Sequence, residues 1–394
     1  MKEFNKIEYY DKVFGGWIGR VVGSHFGTPI EFRPYKWIKK KYCKNGKKDI
    51  TYYVKPIDPF AVNDDEIYQI VGLITLKRIG LNITSVDLAM SWKELLYGKQ
   101  YTAEKIALEN IKKDILPPDS ASIENGNIFY DAIGAQMKGD IWGLICPLHP
   151  ELAVKYAKID GSIAHQGIGI DGEIFIATLI ANAFKYSFKD LKNGIMKNLL
   201  TESLKFIDSQ SLYYEMILYS IELYEKYENW RDARRILMKK WKIIRKNLKK
   251  QSSQKRRVLF LNKFLNFVHV LPNAGIIALS LLYSQDNFPE DLIYFDDVDN
   301  NINKFKIDPF GRPICLAGMM ALDTDCNCGN IGTIIGVILG ESKIPKRWKE
   351  PLKDEFHTMV KGFENWKTSE LTKEISNIGI EILNQINNHN LTNL

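Results

Sequence analysis

Two pairs of aspartates stand where chemistry could be done. Asp64 and Asp65 lie in "FAVNDDEIYQIVGL", and Asp323 and Asp325 lie in "LDTDCNCGNIGTIIGVILG". Each pair opens an apolar stretch with little Lys or Arg beside it, so each places carboxylates at a helix mouth that points into the protein. Buried acids repel one another and resist desolvation unless a cation stands between them. Oxygen-rich clusters with few histidines suit hard divalent cations such as Mg²⁺ or Mn²⁺. Zinc on Cys326 and Cys328 is the rival, weakened because no C-x-x-C pair or nearby His completes a set. A purely structural reading also holds for each cluster. Asn63 and Glu66 have the spacing of a capping box, Asp64 and Asp65 suit the positive end of a helix, and Asp325 could be a simple helix cap.

The elements that must position these acids read as helices. The pattern predicts helices over 65–80, 84–97, 102–112, 150–159, 170–185, 196–206, 210–226, 231–249, 257–268, 272–284, 288–295, 327–340 and 370–387. Gly16, Gly19, Gly23 and Gly27 form a smooth stripe in "YYDKVFGGWIGRVVGSHFG". Gly329, Gly332, Gly336 and Gly340 repeat the device, so both helices are built for a crowded centre. The best strand candidate is "DITYYVKP", and "KWIKKKYCKNGKKD" and "PPDSASIENGN" read as loops. The expected architecture is a single all-α domain spanning 1–394.

Composition narrows the class. Of 394 residues, 45% are hydrophobic and 26% charged, ordinary for a globular protein. No apolar run reaches membrane-span length, and the N-terminus lacks an apolar signal core. With five cysteines in no framework spacing, the expected location is a reducing, cytoplasmic compartment. The net charge of +7 is local in origin: residues 231–257 carry thirteen Lys or Arg against one acid, Asp232, leaving the remainder net acidic. This amphipathic basic segment is expected either to dock by its apolar face or to contact nucleic acid.

Five motifs in order, "GGWIGRVVGSHFGTPIEF", "VNDDEIYQIVGL", "AHQGIGIDGEIFIATLIANAF", "HVLPNAGIIALSLLYSQDNFPEDL" and "LDTDCNCGNIGTIIGVILGE", resemble the ADP-ribosylglycohydrolase family, which includes the dinitrogenase-reductase-activating glycohydrolase. The resemblance implies a compact many-helix bundle with a central cleft for Mg²⁺, one or two ions, and a hydrolase that cleaves the C1″ glycosidic bond of ADP-ribose conjugates on protein or small molecule. Carried over position by position, Asn63, Asp64 and Asp65 fall on one ligand set and Asp323, Asp325 and Cys326 on the other. Glu31 and Asp65 become catalytic candidates; taken alone, Glu31 reads as an exposed helix-end acid beside Arg33. His165, with Gly167 in a glycine-rich loop, and His269 become candidates on the substrate side, each with a structural alternative. Trp17 and Phe26 could stack on adenine or pack in the core.

Asn63 and Cys326 stand where the family motif has threonine, and Ser24 where it has aspartate. These departures leave a catalytically silent ADP-ribose binder as the alternative.

Overall fold

The structure, a computed structural model, describes residues 5–42, 49–252, 264–285 and 308–387. It is almost wholly helical; among the described residues the only paired strands are Glu355–His357 and Asn365–Lys367, a short antiparallel ribbon. No helix is long and apolar enough to cross a membrane among these residues. One apolar cluster runs through most of the chain, with Trp17, Trp92, Trp142, Trp241 and Trp348 buried in it.

Two helices at its centre decide where the site forms. The opening helix, Lys6–Gly27, and the late helix, Thr324–Leu339, lie antiparallel in backbone contact. A methyl added at Gly15 would meet the Gly336 carbonyl oxygen at 2.3 Å, at Gly19 the Gly332 oxygen at 2.1 Å, at Gly23 the Cys328 oxygen at 2.1 Å and at Gly27 the Thr324 oxygen at 2.3 Å. The close-contact row is therefore Gly15, Gly19, Gly23 and Gly27. Gly16 instead faces Leu144 and Val337, and Gly329 lies against the Arg20 guanidinium. The expected stripe was shifted by one member at each of these places. Small residues at this spacing remove the side-chain layer that normally separates helix axes.

The register has a direct consequence. The C-terminal end of the opening helix, with Glu31 just beyond it, arrives at the N-terminal end of the late helix, with Asp323 and Asp325. The Thr324 hydroxyl donates to the Gly27 carbonyl at 2.8 Å, and the Phe32 amide donates to the Leu322 carbonyl at 3.1 Å.

Other expectations need correction. "DITYYVKP" forms no strand: the Tyr52 and Tyr53 hydroxyls donate to the carbonyls of Arg347 and Trp348, and both rings pack on Trp348. "KWIKKKY" is helical over Tyr35–Tyr42, pinned by buried Ile38. Gly311–Met320 is a helix that the pattern missed. The expected helix 288–295 and residues 257–263 lie outside the described residues.

The basic segment is the helix Trp230–Gln251, docked through Trp230, Ala233, Leu237, Trp241 and Ile244. Arg235, Lys239, Lys242 and Lys246 lie on its exposed face, while Arg234 is buried and donates to the Met320 carbonyl at 2.6 Å. The apolar face is docked as one of the two expectations has it, and the cations face outward; residues 253–257 lie outside the description.

Candidate metal centre

The two acid clusters meet. Asp64, Asp65, Asp323, Asp325 and Cys326 line one cavity of about 210 Å³, together with Glu31, Phe32, Glu104, Met137 and others. Among the described residues, no Lys or Arg lines it. Asp323, Asp325 and Cys326 can bring one ligand atom each within 4.8 Å of one another.

The local chain explains the placement. Asn63 caps the helix Asp64–Ile79, its side-chain oxygen accepting from the Asp65 amide at 3.0 Å. Its amide nitrogen donates to Asp325 at 3.3 Å, bridging the two clusters. The capping box is not formed: Glu66 turns instead to Arg20 at 3.1 Å and to the Ser24 hydroxyl at 2.5 Å. Asp323, not Asp325, occupies the N-cap of the late helix, without a side-chain capping bond. Asp325 accepts from the Cys326 amide at 3.1 Å. The approach is strained rather than extended, since Ala321 and Leu322 have φ of 67° and 83° and neither is glycine. Such outliers persist where surrounding contacts over-determine them.

Here the contacts come from Asn273, which sequence reasoning missed. Its side-chain oxygen accepts from the Asp323 amide at 3.2 Å and from Asn327 at 2.7 Å, while its nitrogen donates to the carbonyls of Phe267 and His269 at 2.6 and 3.0 Å. All four hydrogen-bonding positions of that amide are used, which fixes the turn carrying Asp323.

Arg20 was also missed. It is fully buried behind the cavity and pairs with Asp65 at 2.6 Å, Glu66 at 3.1 Å and Asp140 at 2.9 Å. The other Asp65 oxygen lies 3.1 Å from the Cys326 sulfur. Both oxygens of Asp65 therefore have partners, which suits a fixed ligand better than a mobile catalytic base. Glu31 is half-buried on the cavity wall, not an exposed acid beside Arg33.

None of the three substrate-side candidates is among the residues that line this cavity. His165 is fully buried, its Nε2 3.7 Å from Glu104. His269 caps its own helix, its Nδ1 accepting from the Leu271 amide at 3.2 Å, and its Nε2 lies 3.2 Å from Asp131. Gly167, with φ of 53°, makes the turn into the helix Ile168–Ala183. His269 meets a carboxylate from a distant segment that spacing does not reveal. Glu104, behind which His165 stands, is the residue that reaches the cavity. Trp17 and Phe26 are core residues, packed on Phe356 and Trp348 respectively.

Burial and mutual repulsion among the acids set the electrostatics of the cavity. Burial, then Asp325 and Asp64, pushes Glu31 up to about 9. Burial, then Asp325, raises Asp64 to about 6. Burial raises Glu104 to about 7, and raises Asp65 and Asp323 well above the carboxylate range; for Asp65 it outweighs Arg20. The Asp323 Oδ1 is buried without a hydrogen-bond partner. An orphaned buried oxygen among crowded carboxylates fits a divalent cation.

A pH prediction follows from these shifts. A carboxyl whose folded-state value is raised binds its proton more tightly when folded, so its contribution to stability is present below the unfolded value and lost as pH rises. For Glu31 the window runs from 4.5 to about 9, and for Asp64 from 3.8 to about 6. In a chelator the melting temperature should fall steadily across that range, and saturating Mn²⁺ should flatten the decline. A chelated protein equally stable at both ends would contradict the electrostatic account.

Comparison with known proteins agrees with this geometry. The family model described as ADP-ribosylglycohydrolase matches residues 5–377. The chain belongs to the ADP-ribosylglycohydrolase family. It is therefore a glycosidic hydrolase by family, on an all-α fold. A solved structure described as an "ADP-ribosylglycohydrolase-related protein complex" is similar in fold, with a TM-score of 0.52 at 14% identity, covering 95% of this chain and 99% of that one. No curated protein matches the chain. In this ADP-ribosylglycohydrolase, Ser24 at the motif's aspartate position donates to Glu66, so an acid is still held beside the opening helix, supplied by a different element.

Proposed function

We propose that the chain hydrolyses the C1″ glycosidic bond of ADP-ribosyl conjugates in the acid-lined cavity, with a divalent cation, Mg²⁺ or Mn²⁺, held among Asp64, Asp65, Asp323 and Asp325. The observation that carries this reading is the convergence of acids some 260 residues apart in one cavity that no Lys or Arg lines among the described residues. A bound divalent cation supplies charge stabilisation and orients ribose hydroxyls.

The chain's own groups supply the rest. Cleavage at C1″ develops positive charge on the sugar. The carboxylates around the cavity favour that charge over the neutral ground state. Glu31 stands on the wall where its carboxyl can exchange a proton with the leaving group or with the attacking water. Glu104 lines the same space from the helix Thr102–Ile111, a further carboxylate on the wall where the sugar would sit.

Turnover of ADP-ribosyl-arginine, with and without EDTA, tests the proposal. EDTA should abolish turnover, and Mg²⁺ or Mn²⁺ should restore it. Glu31→Gln should lower kcat by roughly 10²–10⁴ with a much smaller change in KM. Turnover unaffected by EDTA would remove the metal from the reading. ADP-ribose binding with no turnover on any linkage offered would instead favour a silent binder.

A further inference from the structure

The metal-facing wall of the cavity is not uniform, and its sulfur side is unaccounted for by a hard-cation site. Cys326 is 5% exposed and lines the cavity. Met137 lines it too, and its sulfur lies 3.9 Å from the Cys326 sulfur. The ligand atoms of Asp323, Asp325 and Cys326 fit within 4.8 Å of one another, the span of donors around a single small ion. Asp323, 3% exposed, lines the cavity as well, and its Oδ1 is buried without a hydrogen-bond partner. Cys328 does not share the role, since its sulfur is turned to the Ile314 carbonyl at 3.4 Å. The donor set is therefore two carboxylates and one thiol, with a thioether alongside.

We propose that Cys326 makes this position selective for a thiophilic divalent transition cation, Zn²⁺ or Co²⁺ ahead of Mn²⁺, and Mn²⁺ ahead of Mg²⁺. The inference rests on the reading that the cavity holds a divalent cation. A thiolate adds strongly to the binding of zinc-like ions and almost nothing to that of Mg²⁺. Binding replaces the S–H bond with a metal–sulfur bond. The released proton passes to solvent. The oxygen side, with Asp64 and Asp325, stays suited to a hard ion.

The test is Co²⁺ titrated into the full-length metal-free chain, followed by thiolate-to-metal charge-transfer absorption. Wild type should show the band, Zn²⁺ should displace it, and Mg²⁺ in about hundredfold excess should not. Cys326→Ser should abolish the band and cut the preference for Zn²⁺ over Mg²⁺ by about tenfold or more. A band that persists in Cys326→Ser belongs to another cysteine and overturns the proposal. So does ready displacement by Mg²⁺ in wild type, a result that needs no variant. Metal-dependent turnover without a band would overturn the selectivity while leaving the hydrolase reading intact; a band without turnover would do the reverse.

Discussion

Asp325→Asn should yield a protein that is more stable in chelator and inactive in the presence of metal. Asp325 is a named source of repulsion for Glu31, Asp64, Asp65, Glu66 and Asp323. Two like charges about 5 Å apart at an effective dielectric near 20 repel by about 3 kcal/mol. Against that, the Cys326 amide and the Asn63 side chain donate to different oxygens of Asp325, one of which becomes a donating NH2 in asparagine, and losing one such bond costs about 1 kcal/mol. Repulsion wins, and the metal-free melting temperature at pH 8–9 should rise by an amount equivalent to roughly 1–2 kcal/mol. Under saturating Mn²⁺ the order should reverse, because the wild type gains binding energy that the variant lacks. Activity should fall by about three orders of magnitude. A variant destabilised in EDTA as well as in Mn²⁺ would show that Asp325 is held for structure, not for a cation.

The same residues show how much of the site could be read from the chain. Paired aspartates ahead of apolar helices are visible because burial of charge is costly, and cost leaves a pattern. Their meeting place is not visible, because it depends on which helix faces which. The glycine stripes announced close packing but could not name each other as partners, and they misplaced Gly16 for Gly15. His165 and His269 were read as substrate contacts because loop-borne histidines invite that reading. Their partners, Glu104 and Asp131, come from distant segments, and only tertiary packing decides that the carboxylate faces the cavity while the imidazole stands behind it. Arg20 was invisible for a similar reason: a cation set among the glycines of a helix gives no sign that it will collect three acids. "DITYYVKP" failed as a strand because its tyrosines spend their hydroxyls on carbonyls of another segment instead of alternating across a sheet.

Gly19→Ala tests the link between that packing and the chemistry. Two effects oppose one another. In an isolated helix the change stabilises by about 1 kcal/mol, since alanine is the better helix former. In this protein the new methyl would lie 2.1 Å from the Gly332 carbonyl oxygen and 2.7 Å from its carbon. The obstacle is backbone, so no side-chain rotation can relieve it and the helices must separate. Overpacking of this kind costs about 3 kcal/mol, at the upper end of its usual range, and exceeds the propensity gain. The melting temperature should fall by roughly 2–3 °C. Separation has a second result: the contacts that tie Thr324 to Gly27 and Leu322 to Phe32 set the distance from Asp325 to Glu31. Turnover of the folded fraction should therefore fall by more than the population of folded protein does, on the order of 10²-fold for a misplacement near 1 Å. A Gly19→Ala protein as stable as wild type would mean that the two helices need no backbone contact. One that loses stability yet keeps full turnover per folded molecule would mean that the contact holds the fold without setting the site.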